Sequence, residues 1–343
     1  MIQNNSPRIR FVQAFFTVIV FLSVHTPVAF AALGGDYWVT KASMPTARSI
    51  GILHSPVVNN IIYAIGGFYY DVNVGNSFPS YANESYDPVT NSWAIKASTP
   101  TIVSDSAAAA VGSNIYIIGG TNGFSNYNEV YNTITDSWSA IASIPGVGVS
   151  AAAAAAVGNN IYLFGGYNGD TNTNVYTNNG SSYVYNTITN SWSSIASMPT
   201  PRLMSSAIVI GSNIYVVGGY TGGGFFSPKS FVNEIYNTVT GVWSSGASFP
   251  NTYSTVYAGA HGKIYSIFGD TIFGTPETIK QYDPTTNIWT ALASYEATAA
   301  FSTVAASLDN LYLIGGTACS FCYPTLSTNK EYVTPVSVSV YFL

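Results

Sequence analysis

The chain has 343 residues, of which 47% are hydrophobic and only 7% are charged. This length and apolar content suffice for one large domain or two ordinary ones with a sizeable core, so general disorder is excluded. Beyond residue 35 there are 8 basic and 15 acidic residues, a net charge of 8 − 15 = −7, and no basic cluster. We therefore expect no nucleic-acid partner and no binding to an anionic membrane.

The first element, residues 1–31, is predicted to be a secretory signal peptide. Arg8 and Arg10 precede an apolar run from Phe11 to Val24, and Ala29-Phe30-Ala31 supplies the small residues of a cleavage site. The mature chain would then begin at Ala32 and be secreted or periplasmic, without stable membrane insertion. A retained membrane anchor is the alternative, but this apolar run is shorter than the roughly twenty residues needed to span a bilayer.

The rest of the chain is repetitive. Its six tryptophans form one series with spacings of 55, 45, 54, 51 and 46 residues. A tyrosine lies seven residues before five of them, and a proline lies seven residues after five of them. An apolar segment ending in two glycines, or in Gly269-Asp270 in one unit, precedes each repeat tyrosine. The tryptophans are Trp38, Trp93, Trp138, Trp192, Trp243 and Trp289.

Each repeat is predicted to contain four short strands. Apolar runs of about five to eight residues, rich in Val, Ile, Tyr and Ala, alternate with turns of Gly, Asn, Asp and Pro. The third and fourth strands form a tight hairpin in which the tyrosine and the tryptophan are near cross-strand partners. Small residues at Ala107–Ala110 and Ala151–Ala156 suit an innermost strand.

This combination of a double glycine with a spaced tyrosine and tryptophan, at a period near fifty, resembles the Kelch repeat from about Asp36 to Tyr332. The resemblance implies an all-β fold, a six-bladed β-propeller of four-stranded antiparallel blades spanning residues 32–343. Because the sixth unit has Ser339 where a tryptophan is expected, we predict that the N-terminal segment Tyr37–Ala42 supplies its outer strand and closes the ring. The alternating tail Val336–Val340 is the competing candidate.

Antiparallel order places the connections from second to third strand on the same face as the blade-to-blade connections. From the last glycine position to the next tyrosine the distances are 19, 11, 19, 17, 12 and 16 residues, and such variation over a rigid frame is typical of a ligand site. Aromatic rings there suit stacking on sugars or protein hot spots, although they equally well cover the blade tops. The candidates are Tyr69, Tyr70, Tyr167, Tyr220, Phe225 and Phe226.

Two arginines remain beyond the leader, Arg48 and Arg202, each three residues after a repeat proline. They belong to blades 1 and 4, which face each other across a six-bladed ring, so we expect that they could clamp a carboxylate. Arginine at this position is also common in Kelch repeats as a packing residue. Glu84, Glu129 and Glu234 each lie two residues before a repeat tyrosine. They are structural acceptors or, as weaker candidates, catalytic acids or bases.

Metal and cofactor chemistry is not expected. His54 lies at an inner strand and His261 in a turn on the opposite face, so they cannot share a metal ion. The pair Cys319 and Cys322 is predicted to form a local disulfide, with free thiols as the alternative. No cofactor is assigned.

The leading interpretation is an exported propeller that binds a saccharide or a protein partner through its variable-loop face. The alternative is a sugar-acid mutarotase or epimerase of the sialic-acid type, because exported bacterial Kelch propellers of similar size include such an enzyme. Arg48 and Arg202 would then hold the carboxylate, and one of Glu84, Glu129 or Glu234 would move protons. A purely adhesive surface propeller is a third possibility. Fold resemblance alone does not decide among these functions.

Overall fold

The computed structural model describes residues 37–50, 52, 54–120, 127–146, 148–170, 175–222, 228–250, 256–267, 277–295, 302–316 and 325–333. The secondary structure of this part of the chain is built from β-strands joined by turns, and it contains no helix long and apolar enough to cross a membrane. The strands form six four-stranded antiparallel sheets and two additional two-stranded ribbons. The all-β prediction is therefore confirmed.

The first half of the described chain supplies three blades, and the connections of blades 1 and 3 each contain a two-stranded ribbon. In chain order the strands are β1 (Tyr37–Thr40), β2 (Val57–Val58), β3 (Ile61–Ile65), β4 (Phe68–Asp71), β5 (Asn76–Pro79), β6 (Asn83–Asp87), β7 (Ser92–Lys96), β8 (Ala107–Val111), β9 (Asn114–Ile118), β10 (Asn128–Asn132), β11 (Ser137–Ile141), β12 (Ala153–Val157), β13 (Asn160–Phe164), β14 (Tyr167–Asp170), β15 (Val175–Asn178), β16 (Ser182–Asn186) and β17 (Ser191–Ile195). Blade 1 is β2-β3-β6-β7, blade 2 is β8-β9-β10-β11, and blade 3 is β12-β13-β16-β17.

The second half supplies three further blades. Its strands are β18 (Ser206–Ile210), β19 (Asn213–Val217), β20 (Asn233–Asn237), β21 (Trp243–Gly246), β22 (Tyr257–Ala260), β23 (Lys263–Ser266), β24 (Glu277–Asp283), β25 (Ile288–Tyr295), β26 (Thr303–Ser307), β27 (Asn310–Ile314) and β28 (Asn329–Val333). Blade 4 is β18-β19-β20-β21, blade 5 is β22-β23-β24-β25, and blade 6 is β26-β27-β28-β1.

The N-terminal strand closes the ring, as predicted. Strand β1 pairs antiparallel with β28, and Trp38 lies opposite Tyr332. The inner strands contact one another in sequence, and β26 of blade 6 also contacts β2 and β3 of blade 1. These contacts complete a six-bladed β-propeller. The competing segment, Val336–Val340, lies outside the described residues.

The apolar core lies between neighbouring blades. One cluster joins Tyr63 and Ile65 of blade 1 to Ile115, Ile117 and Tyr131 of blade 2, and five similar clusters cover the other junctions. The second strand of a blade is buried along most of its length because it faces neighbouring blades on both sides. Apolar burial of this kind supplies the main force that holds the ring together.

The repeat tyrosine and tryptophan are direct cross-strand partners in every blade. Tyr131 lies opposite Trp138, and their ring centroids are 5.0 Å apart. The same pair recurs with centroid distances of 5.0 to 5.2 Å in the other blades. Such pairs contribute about 0.5–1.5 kcal/mol beyond their buried area. The predicted aromatic pairing of the hairpin is therefore confirmed.

A polar clasp fastens the hairpins of blades 1, 2, 3 and 5 to the preceding blade. The Trp93 indole N–H donates to the Ala42 carbonyl oxygen at 2.8 Å, on the chain that leaves β1. The Asn91 side-chain oxygen accepts from the Tyr86 hydroxyl and from the Ala42 backbone N–H, each at 2.8 Å. The whole clasp recurs in blades 2, 3 and 5 through Asp136, Asn190 and Asn287.

The glycine pair permits a close approach between neighbouring blades. The Gly67 N–H donates to the Val103 carbonyl oxygen at 2.8 Å. A Cβ atom on Gly66 would lie 2.5 Å from that same oxygen, and the φ angle of Gly66 is +65°. Any other residue at this position would strain the backbone and collide with the connection of the next blade. The double glycine thus fixes where the connection after the second strand begins, against the neighbouring blade.

Candidate functional site

The variable-loop face is formed by the connections from second to third strand together with the blade-to-blade connections. The residue directly after the glycine pair is held in three blades by an antiparallel bridge to the incoming connection. These bridges join Ser49 to Phe68, Ser150 to Tyr167 and Leu203 to Tyr220. The predicted meeting of the two kinds of connection on one face is therefore confirmed for blades 1, 3 and 4.

Two of the long connections are ordered ribbons. In blade 1, β4 pairs with β5, so that Tyr69 lies opposite Phe78 with 5.9 Å between ring centroids. In blade 3, β14 pairs with β15. The sequence indicated only aromatic loops here. The Asn73-Val74-Gly75 turn between two segments that contain aromatic residues was the available signal for the first ribbon.

The predicted aromatic residues differ in solvent exposure. Tyr69 is exposed, whereas Tyr70, Tyr167 and Tyr220 are partly buried. The backbone groups of Tyr167 and Tyr220 are engaged in the bridges to the incoming connections, and the Asn178 amide donates to the Tyr220 carbonyl oxygen at 3.1 Å. Phe225 and Phe226 lie outside the described residues. The structure thus distributes these rings over blades 1, 3 and 4.

Arg48 is fully buried inside blade 1. Its guanidinium donates to the Glu84 carboxylate at 2.5 Å and to the carbonyl oxygens of Gly66 and Ala64 at 2.9 Å each. The Thr46 hydroxyl donates to the other oxygen of the same carboxylate at 2.7 Å. Burial lowers the pKa of Arg48, an effect that the charge of Glu84 opposes.

Arg202 repeats this arrangement in blade 4. Its guanidinium donates to the Glu234 carboxylate and, at 2.8 Å, to the Val216 carbonyl oxygen, and the Thr200 hydroxyl binds the carboxylate at 2.7 Å. Both arginines are 0% exposed. Each pair fixes an incoming connection against the second and third strands of its own blade. The structure brings each arginine together with a glutamate, and a ligand would have to break that pair to reach the guanidinium.

Glu129 has the same repeat position as Glu84 and Glu234 but a different environment. The position equivalent to the arginine is Val103, since the carbonyl oxygens of Arg48, Val103 and Arg202 each accept the N–H of the second glycine in the preceding blade. The Thr101 hydroxyl donates to the carboxylate at 3.1 Å. Burial raises the pKa of Glu129, and this hydrogen bond only partly opposes the effect. Its surroundings therefore separate Glu129 from its two counterparts.

Asp105 is an acidic residue that the sequence reasoning missed. It lies just before the inner strand of blade 2, with φ +51°, and the equivalent Ala151 and Met204 have φ +53° and +54°. The Ala151 N–H donates to the Asp105 carbonyl oxygen at 2.7 Å, and the Met204 N–H donates to the Ala151 carbonyl oxygen at 2.8 Å. Burial raises the pKa of Asp105 to about 6. An acid beside a run of alanines was the only sequence signal.

The two histidines of the propeller have separate partners. The His54 ring nitrogen Nε2 lies 2.8 Å from the Tyr257 carbonyl oxygen, and burial lowers the pKa of His54. His261 Nδ1 lies 4.0 Å from an Asp309 carboxylate oxygen. Over the described ranges no three His, Cys, Asp or Glu side chains are placed to hold a metal ion. Cys319 and Cys322 lie outside those ranges, so the disulfide stays a prediction.

The fold and these interactions define a class of protein. Six four-stranded blades, joined by repeating Tyr–Trp hairpins and double glycines, form a β-propeller that presents its variable connections on one face. Two family models match this chain. The KLHDC2/KLHL20/DRC7 Kelch-repeats domain matches residues 105–316, and the Kelch motif matches residues 54–100. The chain therefore belongs to the Kelch-repeat family.

Similar proteins are known from animals and fungi. The chain is 29% identical to Kelch-like protein 25 of Xenopus tropicalis over 49% of this chain and 19% of that protein. It is 29% identical to Kelch-like protein terF of Aspergillus terreus over 38% of this chain and 30% of that protein. It is 30% identical to human Kelch-like protein 38 over 39% of this chain and 23% of that protein. The matches thus span less than a third of each of these relatives.

Proposed function

We propose that this Kelch propeller is a protein-binding module whose partner docks on the variable-loop face at the ribbon of blade 1. The observation that carries the proposal is the apolar tip of that ribbon. Tyr69, Val72 and Val74 are 38%, 68% and 64% exposed. Clustered exposed apolar side chains of this kind mark interaction sites, and aromatic residues are enriched at binding hot spots. Kelch propellers are typically protein-binding modules, which supports the same assignment.

The ribbon is also suited to binding by its fixed position. Its base is held by reciprocal backbone hydrogen bonds between Ser49 and Phe68, at 2.9 and 3.0 Å. The Gly75 N–H donates to the Asp71 carbonyl oxygen at 2.8 Å and closes the turn. Because these contacts already order the backbone, a partner loses less conformational entropy on docking than it would with a flexible loop.

A saccharide is the alternative ligand for this face, since aromatic rings stack on the C–H faces of sugars and amides form hydrogen bonds with sugar hydroxyls. The exposed Val72 and Val74 have no hydrogen-bonding group to offer a sugar, and they favour a protein surface. No observation favours a sugar-acid mutarotase, because its carboxylate clamp would need guanidinium groups that both lie buried in ion pairs.

We further propose that the protein is exported, on the grounds of the positively charged start, the apolar run and the small residues within residues 1–31. N-terminal sequencing of the protein recovered from the extracellular or periplasmic fraction tests this proposal. A mature terminus at Ala32 is the expected result. Recovery of an intact Met1 terminus in the cytoplasm would contradict it.

Binding through the ribbon can be tested with a library of displayed random peptides. Peptides selected on the wild-type protein should lose at least tenfold in affinity on the variant Val72→Ser/Val74→Ser. A matched control is Ile134→Ser/Ile188→Ser, which changes two aliphatic side chains that are 79% and 75% exposed on other hairpins. If the selected peptides bound the Val72→Ser/Val74→Ser variant as tightly as the Ile134→Ser/Ile188→Ser control, the proposal would be contradicted. A rise in unfolding temperature with neutral sugars alone would favour the saccharide instead.

A further inference from the structure

The carboxylate of Asp105 has no cationic partner among the described residues. Burial and a hydrogen bond with the Ser104 side chain act on this carboxylate, and neither supplies a positive charge. Four of the eight basic side chains beyond residue 35 form ion pairs with other acids. Lys41, for example, pairs with Glu331 at 2.6 Å, and Lys263 pairs with Asp283 at 2.6 Å. Asp105 is therefore a carboxylate whose charge nothing in the described propeller neutralises.

Asp105 lies where the variable-loop face meets the propeller axis. The next residue, Ser106, forms a parallel bridge with Ile52 on the innermost segment of blade 1. The Asp105 carbonyl oxygen accepts from the Ala151 N–H, and the Ala151 carbonyl oxygen accepts from the Met204 N–H, so these hydrogen bonds join the inner segments of blades 2, 3 and 4. Asp105 stays partly exposed, whereas Ser104 and Ser106 on either side are buried. A ligand on the variable-loop face can therefore reach this position.

The fold does not require an acid here. Ala151 and Met204 take the same left-handed conformation at the equivalent positions of blades 3 and 4, and their side chains carry no charge. A carboxylate taken out of water without a compensating charge costs free energy. Residues that lower stability without serving the fold are found at functional sites. The backbone conformation at this position therefore does not require an acid, and the carboxylate is available to a ligand.

We propose that Asp105 binds an organic cation, an ammonium or guanidinium group, at the axial end of the variable-loop face. A charge-assisted hydrogen bond to such a group replaces the missing counter-charge. A hard metal ion is the poorer match, since it requires several oxygen ligands and the described residues supply no cluster of them. The cation is either a lysine or arginine side chain of a docked protein, in which case the inference rests on the proposed function, or a free small amine.

The test compares charged and neutral ligands of one shape. The probes are an arginine within an otherwise uncharged Gly/Ser peptide, the same peptide with citrulline, and free methylguanidine, titrated calorimetrically into the purified protein at low salt and pH 7.5. The arginine peptide should bind at least tenfold more tightly than the citrulline peptide. Asp105→Asn should abolish this preference. The matched control, Asp87→Asn, removes the same charge from the hairpin between β6 and β7, outside the ribbon, and should leave the preference intact.

Each outcome decides a separate point. Equal affinity for arginine and citrulline, or equal losses in Asp105→Asn and Asp87→Asn, would overturn the inference. Binding of the peptide without binding of methylguanidine assigns the cation to a protein partner, and equal binding of both assigns it to a small amine. The variant Val72→Ser/Val74→Ser should still prefer arginine. Failure of peptide docking at the ribbon would therefore reject the proposed function without touching Asp105.

Discussion

The Tyr236 hydroxyl lies 3.6 Å from the point that a Cβ atom on Gly241 would occupy. In blades 1, 2, 3 and 5 the equivalent residue is asparagine or aspartate, and its side chain accepts from the repeat tyrosine and from the preceding blade. In blade 4 the Trp243 indole N–H still donates to the Ala196 carbonyl oxygen at 2.9 Å. The junction between blades 3 and 4 therefore keeps only the indole half of the clasp.

Replacing Gly241 with asparagine should complete this clasp. The φ angle of Gly241 is +70°, close to the +50° to +57° of the four equivalent residues, so the backbone at this position already suits an asparagine. We expect Gly241→Asn to raise the free energy of unfolding by about 0.5–1.5 kcal/mol, as measured by urea denaturation. The control is Gly211→Asn, at φ +62° with no atom within 4 Å of the added Cβ. A gain no larger than that of the control would contradict the prediction.

The three repeat glutamates should respond differently to neutralisation. Glu84→Gln leaves the buried Arg48 guanidinium without its counter-charge, and breaking such a pair costs about 3–5 kcal/mol. Glu129→Gln removes a partly desolvated carboxylate that lacks an arginine, so its free energy of unfolding at pH 7 should stay level or rise. Chemical denaturation of the two variants beside wild type measures both effects.

Glu234→Gln serves as the internal control for this comparison, because its ion pair with Arg202 repeats the arrangement of Glu84. It should lose stability as Glu84→Gln does. If all three variants lost equal stability, the repeat position itself would determine the effect, and the distinction between paired and unpaired carboxylates would be wrong.

The blades could be predicted from the sequence because the repeat residues that define each blade are close together in the chain. Tyr131 and Trp138 are separated by six residues, so one hairpin fixes their pairing. The ion pair of Arg48 with Glu84 spans 36 residues and depends on how the incoming connection folds over the blade. The sequence therefore revealed both series of residues but not their pairing. A signal was nevertheless available, since Arg48 and Arg202 each precede a blade with a repeat glutamate.

Asp105 escaped prediction for a related reason. Its unusual property is an uncompensated charge, which depends on where all eight basic side chains end up in the folded ring. The left-handed backbone at Asp105, Ala151 and Met204 has no common residue type that a sequence pattern could reveal. The spacing of the repeat residues thus predicts the blades. The charge environment of a single residue such as Asp105 depends on the folded structure.

Ring closure by the N-terminal strand leads to a truncation experiment. A chain that begins at Lys41 lacks β1 and leaves Tyr332 without its cross-strand partner Trp38. Blade 6 then keeps three strands, and we expect a large fall in the unfolding temperature relative to a chain that begins at Ala32. Removal of residues 334–343 should have a much smaller effect. The reverse ranking would show that the tail Val336–Val340 supplies the outer strand instead.

The dependence of stability on pH should reveal the uncompensated charge of Asp105. Burial raises its pKa to about 6 in the folded chain, whereas an unfolded aspartate titrates near 3.8. The folded state therefore binds more protons between these values, and the contribution of Asp105 to stability is lost as pH rises through about 6. Asp105→Asn should match wild type at pH 4 and exceed it by about 1–3 kcal/mol at pH 7. Parallel curves for wild type and Asp105→Asn would mean that Asp105 is ionised in the folded protein as readily as in the unfolded chain, and that its charge is compensated.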